Sequence, residues 1–159
     1  MQKTARSAKE SINANQKSST NDKEVVKTPL PRILLVEDDP IIQKVHAHVL
    51  EKIVGADVDL ASNGQQVLEK FHSNHYDLIV LDGGLPDTDG FELGKIIRRE
   101  EAAAGKRTSL LLLSAWTYEY VSEGCQAADI DEFAIKPIRF EELKAMALRW
   151  LPKKFSAQT

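Results

Sequence analysis

Short apolar runs alternate along the chain with longer segments in which apolar residues recur every three or four positions. The short runs are typical of buried strands, whereas the longer spacing is typical of one face of an amphipathic helix. The pattern predicts five strands, at residues 33–36, 58–61, 78–81, 110–113 and 133–135.

Five helices are predicted to follow these strands. The first carries an apolar stripe from Ile41 to Ile53, and the second follows an Asn63 cap. The third contains Phe91 and ends near Gly105. The fourth runs from about Thr117 to Ala128, and the fifth runs from Phe140 to Leu151 before Pro152. Asp39 and Asp89 are predicted to cap the first and third helices.

The alternation of strand and helix predicts an α/β domain over residues 31–152. Three strands are apolar throughout, which indicates a parallel sheet covered by helices on both faces. Right-handed crossovers then favour a doubly wound, five-stranded, flavodoxin-like sheet with strand order 2-1-3-4-5. Residues 1–30 are predicted to be a disordered tail or linker, and residues 153–159 a flexible tail.

Composition narrows the class of protein. The 159 residues are 42% hydrophobic and 28% charged, which excludes a collagen, a disulfide scaffold or wholesale disorder. No apolar run approaches the length of a membrane span, and no secretory signal opens the chain. The single Cys125 cannot form an internal disulfide, so a cytoplasmic location is expected. Cys125 itself is expected to pack against the core.

The formal charge of −3 is unevenly distributed. Residues 1–28 carry six Lys and Arg against three Asp and Glu, so the remaining residues carry a net −6. This acidic excess argues against a nucleic-acid surface on the folded domain.

Polar residues follow four of the predicted strands. Glu37, Asp38 and Asp39 follow the first strand, Asp82 the third, Ser114 the fourth and Lys136 the fifth. Each alone is also typical of a helix cap or a turn. The carboxyl ends of parallel strands share one edge, however, and carboxylates, an ammonium and a hydroxyl gathered there suit Mg²⁺ and a phosphoryl group.

The motifs ILLVEDD, LIVLDGGLPDTDG, LLLLSA and EFAIKPI occur in that order along the chain. Through them, residues 31–152 resemble the receiver domains of two-component response regulators, which have the CheY-like fold. The resemblance implies that Asp82 is the phosphoacceptor. It implies that Asp38 binds Mg²⁺ directly, Glu37 through a water and Gly84 through its carbonyl. It further implies that Lys136, joined to Pro137 by a cis bond, contacts a phosphoryl oxygen.

The resemblance also implies a switch. Ser114 would hydrogen-bond the phosphoryl group, and the rotamer of Phe133 would follow it, although Phe133 also reads as ordinary strand packing. The signalling surface would comprise helix four, strand five and helix five, with Tyr118, Tyr120 and Ile138.

Two positions depart from the family pattern in an informative way. Gly84 and Trp116 stand where the family has residues that flank the path of the hydrolysing water. We expect Trp116 to shield the phosphoryl group and to set its lifetime. Packing of Trp116 on helix four or in a partner interface stays open.

The function implied is a phosphoprotein of two-component or phosphorelay signalling. It would take a phosphoryl group from a histidine kinase or a histidine phosphotransfer protein. The alternative is a pseudo-receiver that acts as an interaction module without phosphorylation. A phosphatase for external substrates lacks a second acid–base Asp where Gly84 stands, so the chain is not expected to be an enzyme beyond its own phosphorylation and dephosphorylation. The sequence leaves open a homodimer and an origin in a hybrid histidine kinase.

Other candidate residues receive ordinary interpretations. His46, His48, His72 and His75 are expected to be exposed helix or loop residues without a metal role. The segment around Asp87 and Asp89 resembles a calcium loop only faintly, because Leu85 and Ile96 occupy ligand positions, and it is interpreted as a turn.

Overall fold

The computed structural model describes residues 29–158. Residues 1–28 of the predicted N-terminal tail therefore lie outside the described residues. Five parallel strands form one sheet in the order β2-β1-β3-β4-β5, which confirms the predicted topology. Their bounds are Arg32–Val36 for β1, Asp57–Ala61 for β2, Leu78–Asp82 for β3, Ser109–Ser114 for β4 and Glu132–Ile135 for β5.

Four α-helices connect the strands, and a fifth follows β5. Their bounds are Pro40–His48 for α1, Gly64–Ser73 for α2, Gly90–Ala104 for α3, Tyr118–Ala128 for α4 and Phe140–Trp150 for α5. Each face of the sheet has its own hydrophobic core: α2, α3 and α4 pack on one face, and α1 and α5 pack on the other. The three inner strands are buried almost completely, as their continuous apolar runs predict.

The first helix differs from the sequence pattern in two ways. The α-helical part ends at His48, and the chain continues as a π-helix over Val49–Val54 that stops at Gly55, whose φ is 85°. The helix also turns a different face inward. His46 and Ala47 are buried, whereas Ile41 is exposed. The prediction that His46 is exposed is therefore wrong.

Two further features close the domain at its ends. Lys153–Gln158 form a 3₁₀-helix in which Phe155 is buried, so the start of the predicted flexible tail is ordered against the domain. Cys125 lies in the core as predicted, and burial raises the pKa of its thiol to about 11. Within residues 29–158, none of the helices has the length and hydropathy needed to cross a membrane.

A buried ionic network lies at the edge of the sheet where the strands begin. The guanidinium of Arg98 on α3 donates to the Glu101 carboxylate at 2.7 Å, to the Asp131 carboxylate at 2.9 Å and to the Thr108 carbonyl at 2.7 Å. Glu101 also accepts a hydrogen bond from the Thr108 backbone N–H. This network ties α3 to the segments that enter β4 and β5.

Candidate functional site

Three acidic residues from the ends of two strands meet at the opposite edge, where the strands end. Glu37 and Asp38 follow β1, and Asp82 is the last residue of β3. One carboxylate oxygen of each lies within 4.8 Å of the others. Glu37 and Asp82 are buried, and Asp38 faces the solvent. The sequence prediction that these residues converge is confirmed.

Local hydrogen bonds hold the Glu37 carboxylate and the start of α1 in place. The Asp39 carboxylate caps α1 by accepting from the N–H groups of Ile41 at 2.8 Å and Ile42 at 3.1 Å, as predicted. The Asp39 N–H donates to the Glu37 carboxylate at 3.1 Å. The Glu37 N–H donates to the Ala61 carbonyl at the end of β2. The acidic pair therefore stands on the rigid junction between β1 and α1.

Lys136 reaches these carboxylates from the end of β5. Its Nζ lies 3.1 Å from Glu37 Oε1 and 3.1 Å from Asp82 Oδ1. Its backbone N–H donates to the Ser114 carbonyl at 2.8 Å, and the Lys136–Pro137 bond is cis, as the resemblance implies. One ammonium thus joins two carboxylates that are distant along the chain.

Burial and neighbouring charge determine the electrostatics of the site. Burial, and then the charge of Glu37, raise the pKa of Asp82, although Lys136 opposes the shift. Burial alone would lower the pKa of Lys136, but its bonds and charge interactions with Glu37 and Asp82 raise it overall. Three carboxylates face one ammonium, so the site has an excess of negative charge that a cation would relieve.

The donor set fits Mg²⁺. All three side-chain ligands are carboxylate oxygens, and exposed Asp38 leaves one side open to solvent, as an ion that retains several waters requires. Gly84 lies beside them, since its N–H donates to Asp82 Oδ1 at 3.3 Å. Its predicted carbonyl contribution stays a prediction.

Ser114 ends β4 next to the loop that follows Asp82. Its hydroxyl oxygen accepts from the Trp116 N–H at 3.1 Å. A Cβ added at Gly83 would lie only 2.8 Å from Ser114 Oγ, so the hydroxyl packs directly over the backbone that follows Asp82. The predicted hydroxyl is therefore part of the site.

Trp116 borders the site from the β4–α4 loop. Its ring would lie 3.4 Å from a Cβ at Gly83 and 3.7 Å from one at Gly84. The same ring contacts Phe91 and Tyr120 at centroid distances of 5.8 and 5.4 Å. The sequence left open whether Trp116 lies at the site or packs on the fourth helix. In the structure, Trp116 both borders the site and packs on α4.

The candidate switch residue Phe133 is half-buried on β5. Its ring lies 5.2 Å from that of Tyr118, and both line a groove between α4, β5 and α5. Phe133 thus packs as an ordinary half-buried strand residue, as one interpretation of the sequence predicts. Its switch role stays a prediction.

Two side chains make contacts that were not predicted from the sequence. His46 lies with Lys136 and Pro137 along a groove of about 380 Å³, and burial, followed by the charge of Lys136, lowers the pKa of His46. Asp87 accepts from the N–H groups of Gly64 at 2.8 Å and Gln65 at 3.1 Å, which joins the loop after β3 to the start of α2. No local pattern signals either contact, because each depends on how distant segments pack.

The similarity of the chain to known proteins agrees with this geometry. Residues 33–148 match the family described as the response regulator receiver domain. The chain is 32% identical over 123 residues to hybrid signal transduction histidine kinase F of Dictyostelium discoideum, a match that covers 76% of this chain and 11% of that protein. It spans between 11% and 18% of the length of three curated histidine kinases that it matches.

Two of the solved structures that match the chain resemble it in both fold and sequence. The receiver domain of a Pseudomonas aeruginosa sensor histidine kinase, with a magnesium ion in its active-site cleft, is 32% identical at a TM-score of 0.68, and the match covers 77% of this chain and 98% of that one. The response regulator TrrA of Thermotoga maritima, solved with Mg(2+)-BeF, is 32% identical at a TM-score of 0.67 and covers 77% and 100%.

Proposed function

The chain belongs to the family of response regulator receiver domains of two-component signalling, and we propose that Asp82 accepts a phosphoryl group from a phosphohistidine on a partner protein. The observation that carries the proposal is the position of Lys136 Nζ, 3.1 Å from both Asp82 and Glu37. An ammonium beside the accepting carboxylate stabilises the negative charge of an arriving phosphoryl group.

In the transfer, an Asp82 carboxylate oxygen attacks phosphorus in line with the bond to the donor imidazole. The P–N bond breaks, its electron pair stays on the imidazole nitrogen, and a P–O bond to Asp82 forms. Lys136 stabilises the transferred negative charge by donating a hydrogen bond to a phosphoryl oxygen. Ser114 can donate its hydroxyl proton to another, because accepting from the Trp116 N–H leaves that proton free.

The proposal includes Mg²⁺ held by Asp38, Asp82 and the Gly84 carbonyl, with Glu37 acting through a water. When bound, Mg²⁺ would neutralise negative charge shared between the carboxylates and the phosphoryl oxygens. The acidic cluster and the magnesium in two related structures support this assignment. Since the site contains both the acceptor and the groups that stabilise charge, we propose that the chain catalyses only its own phosphorylation and dephosphorylation.

The partner proposed is a histidine kinase or a histidine phosphotransfer protein, in line with the kinases among the relatives. The output surface proposed is the groove of α4, β5 and α5, lined by Tyr118 and Phe133. Phosphorylation would bias this surface between two arrangements through Ser114.

Incubation with acetyl phosphate and Mg²⁺, followed by intact-mass measurement, tests the proposal. The wild type is expected to gain the mass of one phosphoryl group, and Asp82→Asn to gain none. Asp39→Asn is the matched control, because Asn caps a helix as well as Asp and Asp39 lies outside the proposed ligands. A wild type that takes no phosphoryl group from acetyl phosphate or from a phosphorylated histidine protein would favour the interaction module.

A further inference from the structure

Three aromatic rings form a cluster beside the proposed phosphoryl site: Phe91 on α3, Trp116 in the β4–α4 loop and Tyr120 on α4. Each ring contacts the other two. The centroid distances are 5.8 Å for Phe91 and Trp116, 5.8 Å for Phe91 and Tyr120, and 5.4 Å for Trp116 and Tyr120. Trp116 and Tyr120 meet edge to face, at 85°, a favourable geometry for aromatic rings.

The far side of the indole faces the loop that follows Asp82. A Cβ added at Gly83 or Gly84 would lie 3.4 or 3.7 Å from the Trp116 ring, which is ordinary van der Waals contact, so the indole packs beside these two glycines. The ring therefore lies close to the backbone that follows the proposed acceptor carboxylate.

Ring contacts hold the indole in this place. Trp116 lies in a loop and is 38% exposed, so other rotamers would be open to it without neighbouring rings. Phe91 is a rigid support, because it is buried and packs closely on Gly124 of α4. Tyr120 is 57% exposed, so its ring contributes little to the core, and it contacts both of the other rings.

We propose that Tyr120 is a positioning residue for the phosphoryl chemistry of Asp82, which it controls by holding Trp116 against Gly83 and Gly84. This inference rests on the proposed function. Loss of the phosphoryl group requires a water to attack phosphorus opposite the Asp82 oxygen, after which the P–O bond to Asp82 breaks and inorganic phosphate leaves. An indole fixed over this loop limits the approach of that water. Removing Tyr120 releases the indole and shortens the lifetime of the phosphorylated form.

The lifetime is measured by loading the protein with acetyl phosphate and Mg²⁺, removing the donor and following the decay by intact mass. Tyr120→Ala is expected to raise the decay rate by about two- to tenfold, the range set by one edge-to-face aromatic pair. Tyr120→Phe, which keeps the ring, is expected to retain the wild-type rate. Glu123→Ala, a truncation at an exposed position of the same helix, is expected to leave it unchanged.

A double variant separates positioning from a general loosening of α4. If Tyr120 acts through Trp116, the decay of Trp116→Ala/Tyr120→Ala is no faster than that of Trp116→Ala alone. Additive effects, or a Tyr120→Ala protein that loads normally and decays at the wild-type rate, would overturn the inference.

Hydrogen exchange of the Trp116 indole N–H, followed by NMR in the unphosphorylated protein, tests the positioning without any phosphoryl group. Exchange is expected to accelerate in Tyr120→Ala and not in Glu123→Ala, and equal exchange in the two variants would contradict the inference. Failure of the wild type to load in the mass experiment would instead count against the proposed function.

Discussion

Asp38 is the only exposed member of the acidic cluster within the described residues, and this gives it a distinct role. Glu37 and Asp82 are already bridged by Lys136, whereas Asp38 faces water beside them. Its charge adds to the repulsion in the cluster until a cation binds. We therefore expect Asp38 to contribute to affinity for the ion more than to the metal-free fold.

We predict that Asp38→Ala loses most of the thermal stabilisation by Mg²⁺. A ligand that binds only the folded state stabilises it by about 2.7 kcal/mol at one hundred times its dissociation constant, so the wild-type melting temperature should rise by several degrees with Mg²⁺. Without Mg²⁺ the variant should unfold within about 0.5 kcal/mol of the wild type. Asp39→Asn should keep the full response to Mg²⁺, and an equal response in Asp38→Ala would exclude Asp38 as a ligand.

Gly83 and Gly84 are neighbours with different constraints. A Cβ at Gly83 would lie 2.8 Å from Ser114 Oγ and 2.9 Å from Ser114 Cβ, whereas a Cβ at Gly84 would meet only the Trp116 ring, at 3.7 Å. We predict that Gly83→Ala destabilises the protein by about 1–3 kcal/mol and displaces Ser114. Gly84→Ala should change stability by less than about 1 kcal/mol. Denaturant unfolding of the two variants measures the difference, and similar losses would contradict it.

At the scale of the element, α1 shows where sequence reasoning succeeds and fails. The Asp39 cap, the Pro40 start and the helical period were all predictable, because they depend on local hydrogen bonds and on φ. Which face turns inward was not, because the apolar stripe of Ile41 and Val45 competes with the stripe of Ala47 and Leu50, and packing on the sheet selects the latter. The helix therefore presents apolar side chains to solvent beside the site.

This apolar surface has a predicted use in transfer from a protein donor. Ile41 is 74% exposed and lines a groove with Val45 and Phe140, on the helix that begins two residues after Asp38. The proposed acceptor Asp82 is only 7% exposed. A protein that delivers its phosphohistidine to Asp82 must cover the neighbouring surface. Ile41→Glu should slow transfer from a phosphorylated histidine protein by tenfold or more, on the order of one interface hot spot.

Two controls accompany the Ile41 experiment. Loading of Ile41→Glu by acetyl phosphate should match the wild type, since a small donor needs no docking surface. Ile53→Glu, which changes an exposed residue of the π-helical segment, should not slow transfer from the protein donor. Equal slowing by both variants would exclude a specific role for the start of α1.

Asp87 links two elements by hydrogen bonds that depend on pH. Its bond to the Gly64 N–H, and then that to the Gln65 N–H, keep the pKa of Asp87 below its ordinary value of 3.8. A carboxyl with a lowered folded-state pKa stabilises the fold above its ordinary pKa, and this contribution is lost as the pH falls through the folded-state value. Asp87→Ala should therefore be less stable than the wild type at pH 7 in denaturant unfolding, and the difference should vanish in acid. A difference independent of pH would point to packing instead.

At the scale of the whole molecule, the strand order could be predicted because the alternation of elements and right-handed crossovers leave few arrangements. Convergence of Glu37, Asp82 and Lys136 followed from the shared edge of parallel strands. The direct bridging by Lys136 and the aromatic cluster could not be predicted, because they depend on rotamers and helix positions that only packing determines.

The ionic network and the candidate site lie at opposite edges of the sheet. Arg98 is nearly buried and pairs with Glu101 and Asp131. We predict that Arg98→Met lowers the free energy of unfolding by about 3–5 kcal/mol, because it leaves the Glu101 carboxylate buried without its cation, whereas Asp131 keeps its ion pair with Arg107. The folded fraction of Arg98→Met should still take a phosphoryl group at Asp82 as the wild type does. Arg99→Met, at the next and exposed position, should have little effect on stability.

The two tryptophans of the chain stand at these two opposite edges, which gives the molecule two optical reporters. Trp116 contacts the loop after Asp82, whereas the Trp150 indole N–H donates to the Glu132 carboxylate at the start of β5, at 2.6 Å. Fluorescence from a Trp150→Phe protein would report events at the proposed phosphoryl site alone, and fluorescence from a Trp116→Phe protein would report events at the far edge. Loading and unfolding could thus be followed separately in solution without any attached dye.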